Sequence, residues 1–226
     1  MRRLIVFDWD GTLADSVNKI IECKHFLARK YDLPIPDRTV IRGVLGTPFE
    51  QAMRQCFPTA SESLLETLCR EFHLLMQLPQ YQAELFPKAK ELLSTLKAQG
   101  LKLAVATSKN RKELDSALEH TQLVGVFEIT CCGAEHREKP DPAMLHYIMQ
   151  MLKVQQDECL MVGDTVTDIF FAANAGVPAV CVTFGSQSAE KLTTANPLTL
   201  IDNFFELPPI IDGLAMEREG TPVHLV

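Results

Sequence analysis

The strongest constraint on how this chain folds is a set of short, unbroken apolar runs, each ending in a polar or glycine-containing turn. They are Leu4 to Phe7 before Asp8, Leu103 to Ala106 before Thr107, Cys159 to Val162 before Gly163-Asp164, and Ala179 to Phe184 before Gly185. Runs rich in Val, Leu and Ile without polar alternation are what strands covered on both faces require, because neither side-chain direction meets water. Between them lie segments of helical period. Leu92, Leu93 and Leu96 close at Gly100, a glycine stop, while Leu145, Ile148, Met149 and Leu152 open after Asp141-Pro142, a cap followed by a proline at the first helical position. Strands alternating with helices specify a doubly wound parallel α/β sheet, whose ligands gather beyond the carboxyl ends of the strands. Asp8, Thr107 and Asp164 are therefore expected to face one crevice.

Residues 15–85 interrupt this rhythm. Val17, Ile20, Ile21 and Leu27, and later Leu64, Leu65, Leu68, Phe72, Leu75 and Met76, repeat at helical spacing with no comparable strand between them. The reading is an inserted helical unit over 15–85, with a core made of 1–14 and 86–212. The joints are expected at Asp15-Ser16 and around Leu85-Phe86-Pro87. A tail over 213–226, with Glu217, Arg218, Glu219, Gly220 and Pro222, carries little periodicity and is expected at the surface.

A length of 226 residues with 46% hydrophobic and 23% charged residues suits one globular core plus a small insertion. The formal net charge of -7 argues against a general nucleic-acid or anionic-membrane partner, since its long-range field repels phosphate backbones. Any phosphate it binds has to be met by a local cluster. Seven cysteines, an odd set without a C-x-x-C pair or zinc spacing, read as reduced and mostly buried thiols. The apolar start stops at Asp8, short of a signal-peptide core, and no later run is long enough to span a bilayer. A cytoplasmic protein is the expectation.

Asp8-Trp9-Asp10-Gly11-Thr12 carries the most chemistry. Two carboxylates two residues apart, just past a buried strand, repel each other unless a cation is present. Magnesium answers this, because it prefers oxygen ligands, keeps several waters and bridges to substrate phosphate. A surface turn or a calcium loop is the alternative for the Asp-x-Asp-Gly pattern. The calcium version is weakened by Lys19 at the twelfth position counted from Asp8. Asp164, in Gly163-Asp164-Thr165-Val166-Thr167-Asp168, is able to complete the metal site. Asp168, one helical turn on, either orients Asp164 or a metal-bound water, or simply favours a helix N-terminus. Thr107-Ser108-Lys109 offers a hydroxyl and backbone N–H groups at a helix start, an anion site or an ordinary cap. Lys139, on the proline-fixed turn Lys139-Pro140-Asp141-Pro142, gains weight only from this company.

Taken in order, Asp8-Trp9-Asp10-Gly11-Thr12-Leu13, Thr107, Lys139-Pro140, and Gly163-Asp164 with Asp168 resemble the four motifs of the haloacid dehalogenase-like hydrolase superfamily, over about residues 3 to 212. The resemblance implies a Rossmann-like α/β core with an inserted α-helical cap. It also implies a phosphatase of the phosphoglycolate phosphatase-like kind, acting on a small phosphate ester. Asp8 would form an aspartyl phosphate and Asp10 would act as acid and base. Magnesium would be held by the Asp8 carboxylate, the Asp10 backbone carbonyl and the Asp164 carboxylate, with Thr107, Ser108 and Lys139 on the phosphoryl oxygens. The presence of Asp10 turns the expectation away from dehalogenases, which lack it. Trp9, bulkier than the pattern usually carries, reads as packing. Arg42-Gly43-Val44-Leu45-Gly46-Thr47-Pro48 resembles the cap loop that leans over the site. Arg42 would meet a substrate carboxylate and Gly46 would lie against the substrate, the alternative being a turn with a solvated arginine.

Three other readings compete. A phosphoaccepting signalling domain shares clustered aspartates, a hydroxyl and a lysine, but needs neither the insertion nor a second carboxylate two residues after the nucleophile. A phosphohexomutase or a pyrophosphatase would keep the fold and the motifs. A catalytically idle partner protein with the same fold is disfavoured by the filled catalytic positions.

Overall fold

The computed structural model of the chain describes residues 3–216. Among them, six strands form one parallel sheet in the order β3-β2-β1-β4-β5-β6. The strands are β1 (Leu4–Phe7), β2 (Lys102–Thr107), β3 (Ile129–Cys132), β4 (Cys159–Gly163), β5 (Ala179–Val182) and β6 (Thr199–Ile201). In the first part of the chain α1 (Val17–Lys30), α2 (Arg38–Gly43), α3 (Phe49–Cys56) and α4 (Glu62–Leu75) follow β1. The sheet is covered by α5 (Ala89–Ala98), α6 (Arg111–His120), α7 (Ala143–Leu152), α8 (Val166–Asn174), α9 (Ala189–Thr193) and α10 (Leu207–Met216).

The two-residue period of β1 shows why the sheet is doubly covered. Ile5 and Phe7 join one apolar cluster with Leu93 and Leu96 of α5 and Leu114 of α6. Leu4 and Val6 join another with Leu145 and Ile148 of α7 and Phe171 of α8. All four β1 residues are fully buried. Trp9 packs into the first cluster, away from the solvent. The seven cysteines are free thiols, six of them buried.

The strand expected at Ala179 to Phe184 ends at Val182, opposite Ile201, where its partner β6 also ends. β3 and β6 have no counterpart among the expected strands. Helix α7 begins at Ala143, one residue later than expected, although Asp141 caps it by accepting the Ala143 N–H at 3.0 Å. The expected boundary at 212 falls inside α10, whose Leu214 packs on the first cluster. Its helical run ends at Met216, and 217–226, the rest of the expected tail, lie outside the described residues.

Helices α1 to α4, with the 3-10 turn Pro79–Tyr81, build a third apolar cluster of their own, from Val17, Ile21 and Leu27 to Phe72 and Tyr81. The chain leaves and re-enters the core side by side. The Asp15 N–H donates to the Glu84 carbonyl and the Phe86 N–H to the Leu13 carbonyl, both at 2.9 Å, around an antiparallel Ala14–Leu85 bridge. No helix of the described residues is long and apolar enough to cross a membrane.

Candidate active site

The central strand β1 is flanked by β2 and β4, with Phe7 opposite Val105 on one side and Val162 on the other. The carboxyl ends of these three neighbours therefore deliver Asp8, Thr107 and Asp164 to one place. Asp8, Thr107, Lys139, Asp164 and Asp168 are all buried. Carboxylate oxygens of Asp8, Asp164 and Asp168 lie within 4.8 Å of one another.

One ammonium stands among these three carboxylates. The Lys139 Nζ donates to Asp8 Oδ1 at 2.9 Å and to Asp168 Oδ1 at 2.7 Å. Burial works against the charged form of Lys139, yet Asp168 and Asp8 hold its pKa above the ordinary lysine value. A single cation does not balance three buried anions. Burial, reinforced by Asp168 and Asp164, pushes Asp8 up to about 8 against the pull of Lys139. Burial and Asp168 likewise raise Asp164 to about 6, despite hydrogen bonds from Ser186 and Thr12. A site of oxygen donors with excess negative charge fits a hard divalent cation.

Hydrogen bonds hold both oxygens of the Asp164 carboxylate. Asp164 Oδ1 accepts from the Thr12 hydroxyl at 3.0 Å, and Oδ2 accepts from the Ser186 N–H at 2.7 Å and its hydroxyl at 2.6 Å. Two glycines make room for it. A Cβ on Gly11 would lie 2.3 Å from Asp164 Oδ2, at a φ of +83°, and one on Gly185 would lie 2.4 Å from the Asp164 Cβ. Asp168 combines the two roles open to it. It closes a capping box with Thr165 at the start of α8, and it also binds Lys139 and accepts the Asp164 N–H at 3.3 Å.

The Asp10 carboxylate lies outside this cluster of acidic oxygens. Both of its oxygens accept from Lys109 Nζ at 3.0 Å. Although burial opposes its charge, Asp10 and Glu113 raise the pKa of Lys109. Thr107 Oγ1 accepts the Lys109 N–H at 3.2 Å, which leaves its own proton to donate.

These groups lie at the floor of a cleft roofed by α1 to α4, and Asp8, Asp10, Thr107, Ser108, Lys139 and Gly46 all line it. Gly46 approaches the core so closely, at a φ of +88°, that a Cβ would meet Thr165 Oγ1 at 2.8 Å. Gln187 bridges the two parts, donating to the Leu45 carbonyl at 3.3 Å and accepting the Val166 N–H at 3.0 Å. His73 Nδ1 and Glu113 Oε1 join α4 to α6 at 2.8 Å. Arg42, expected to meet substrate, is not among the residues lining the cleft; it lies in the last turn of α2 and only Gly46 of the pair faces the site. Lys109 and Ser186 are site residues that sequence reasoning missed. Lys109 lies within the Thr107-Ser108-Lys109 stretch, and Ser186 follows a fourth strand ending on the same edge.

The model of the family described as haloacid dehalogenase-like hydrolase matches residues 5–182, which span all four motifs. The chain belongs to this family. A protein described as "Probable phosphatase IndB", from Dickeya dadantii (strain 3937), is 34% identical over 230 residues, covering 99% of both chains. A phosphoglycolate phosphatase from Vibrio parahaemolyticus is 30% identical over 219 residues, covering 92% of this chain and 96% of its own length. The crystal structure of a predicted phosphoglycolate phosphatase from Haemophilus somnus 129pt superposes with a TM-score of 0.85 at 25% identity, over 92% of this chain and 97% of the other. The haloacid dehalogenase-like fold and the phosphatase class expected from the motifs are thus those of full-length relatives.

Proposed function

We propose that this haloacid dehalogenase-like phosphatase hydrolyses a small phosphate monoester with magnesium, through an aspartyl phosphate formed on Asp8. The observation that carries the reading is Asp8 itself. Its carboxylate is buried at the end of the central strand, with Oδ1 held by Lys139 and the residue facing the cleft. In the first step an Asp8 oxygen attacks phosphorus, the ester P–O bond breaks, and Asp10 gives its proton to the leaving oxygen. In the second, Asp10 takes a proton from the attacking water, the acyl phosphate P–O bond breaks, and inorganic phosphate and the Asp8 carboxylate are released. Lys109 keeps Asp10 aimed between the two steps. Thr107, the Ser108 N–H and Lys139 meet the phosphoryl oxygens. Magnesium, held by the Asp8 and Asp164 carboxylates and the Asp10 backbone carbonyl, would neutralise the charge of those oxygens and of Asp8.

Residues 15–85 act as a cap that excludes water from the closed site. The phosphoglycolate phosphatases among the relatives support a small monoester as substrate. Phosphate release from p-nitrophenyl phosphate tests the reading. Activity is expected to vanish with a chelator, to return with magnesium and to be absent from Asp8→Asn. Full activity in metal-free buffer contradicts it.

A further inference from the structure

Three lysines with largely buried side chains line the cleft: Lys139, Lys109 and Lys24. Two of them have carboxylate partners, Asp8 and Asp168 for Lys139 and both oxygens of Asp10 for Lys109. Lys24 is the exception. It is 2% exposed, and its Nζ donates to the Cys56 thiol at 3.3 Å. Among the described residues no ion pair to Lys24 is present. A thiol is a weak acceptor and satisfies one of three ammonium protons, so this buried lysine keeps donors without an ion-pair partner among the described residues, the Glu113 carboxylate of the same cleft being bound to His73.

Its place explains what those donors are for. Val17, Ile20 and Lys24 stand three and four residues apart on α1, one stripe of that helix, and all three line the cleft. Lys24 is two turns, about 10 Å, beyond Val17, which follows the joint with the core. Between them the roof is apolar, with Ile20, Val44, Phe49 and Phe72 on the cleft wall. Asp8 and Lys24 thus line one cleft whose wall also carries these apolar side chains.

We propose that Lys24 determines substrate specificity: its ammonium binds an acceptor oxygen on the leaving group of a phosphate monoester, and the apolar body of that leaving group covers the wall formed by Ile20, Val44, Phe49 and Phe72. The inference rests on the phosphatase reading of Asp8 and names the class of ester the same site takes. The acceptor is a carboxylate or a neutral carbonyl, and these are separable by experiment.

The test uses the full chain with magnesium and three matched esters: phenyl phosphate, 4-acetylphenyl phosphate and 4-carboxyphenyl phosphate. Comparing wild type with Lys24→Met on each ester cancels differences in leaving-group reactivity. The variant is expected to lose roughly 10- to 100-fold in kcat/KM on an ester bearing the acceptor, mostly through KM, as for a hydrogen bond to a charged group. On phenyl phosphate it should change no more than about threefold, in keeping with loss of binding rather than chemistry. Loss on the carboxylate ester alone identifies an anionic acceptor, and loss on both identifies a carbonyl oxygen. Lys24→Arg, which keeps the charge, should retain part of the preference. Equal losses on all three esters by either variant, or no loss on any, overturn the inference by confining Lys24 to a structural tie between α1 and α3. If wild type releases phosphate from none of them, nor from p-nitrophenyl phosphate, the phosphatase reading falls and this inference falls with it.

Discussion

Asp8 is asked to be a nucleophile while buried among carboxylates, and its neighbours decide how that is possible. Lys139 takes one oxygen, and the cation expected at Asp8 and Asp164 offsets the remaining charge. Asp8→Asn keeps the shape but replaces the attacking carboxylate by an amide, so turnover of p-nitrophenyl phosphate should be abolished. Asp10→Asn should slow both half-reactions by roughly 10²- to 10⁴-fold, the usual worth of general acid and base assistance, in single-turnover measurements. A more local test lies at Gly11. Its positive φ and the 2.3 Å approach of a Cβ to Asp164 Oδ2 mean that Gly11→Ala must displace the carboxylate or the loop. Weaker magnesium binding in a titration of activity is the expected result, and an unchanged midpoint would separate Asp164 from the metal. Asp8 and Asp164 stood out as candidates because each directly follows the end of a buried strand, whereas Lys139, on the turn before α7, gained weight only from their company. Lys109 and Ser186 were not, since which side chain meets Asp10 or Asp164 depends on how loops pack after the strands are assembled.

At the scale of elements, β1, β2, β4 and β5 were readable because their side chains face apolar clusters on both sides, which leaves an uninterrupted apolar run in the sequence. β3 and β6 are the two edges of the sheet. β3 has its first two residues half-buried and a threonine in it, and β6 is three residues long, so neither yields such a run. The helices α1 to α4 depend on their own apolar cluster and meet the core through few contacts, chiefly Gly46 on Thr165, Gln187 on Leu45, and His73 on Glu113. Gly46→Ala places a Cβ 2.8 Å from Thr165 Oγ1 at a φ that L residues rarely adopt, so the loop has to withdraw from the core. The expected outcome is a loss of kcat/KM of similar size on every ester, with the thermal unfolding midpoint of the core little changed. A loss confined to one ester would make Gly46 a substrate contact and not a docking point.

For the whole molecule, the buried carboxylates couple stability to pH and to the metal. The folded-state pKa of Asp8, about 8, lies above its ordinary value of 3.8, so the native state holds a proton that the unfolded chain releases. The stabilising contribution of this group is full below pH 3.8 and is lost as pH rises through about 8. Asp164, raised to about 6, acts in the same direction over a lower range. Chelated protein should therefore unfold at progressively lower temperature as the pH rises from about 5 to 8, and the slope should flatten in Asp8→Asn. Magnesium should restore the midpoint most strongly at the upper end, because binding requires deprotonated ligands. A chelated midpoint that rises over this window would mean that other titrating groups outweigh the carboxylate cluster. The proposed mechanism turns on one chemical event, the transfer of a phosphoryl group to Asp8. The most direct measurement is to quench the reaction with acid in the steady state, digest the protein and locate the phosphoryl label by mass spectrometry. A label on the peptide carrying Asp8, formed only with magnesium and absent from Asp8→Asn, is what this mechanism requires. Rapid turnover by the wild-type protein with no labelled peptide, or a label that persists in Asp8→Asn, would contradict it.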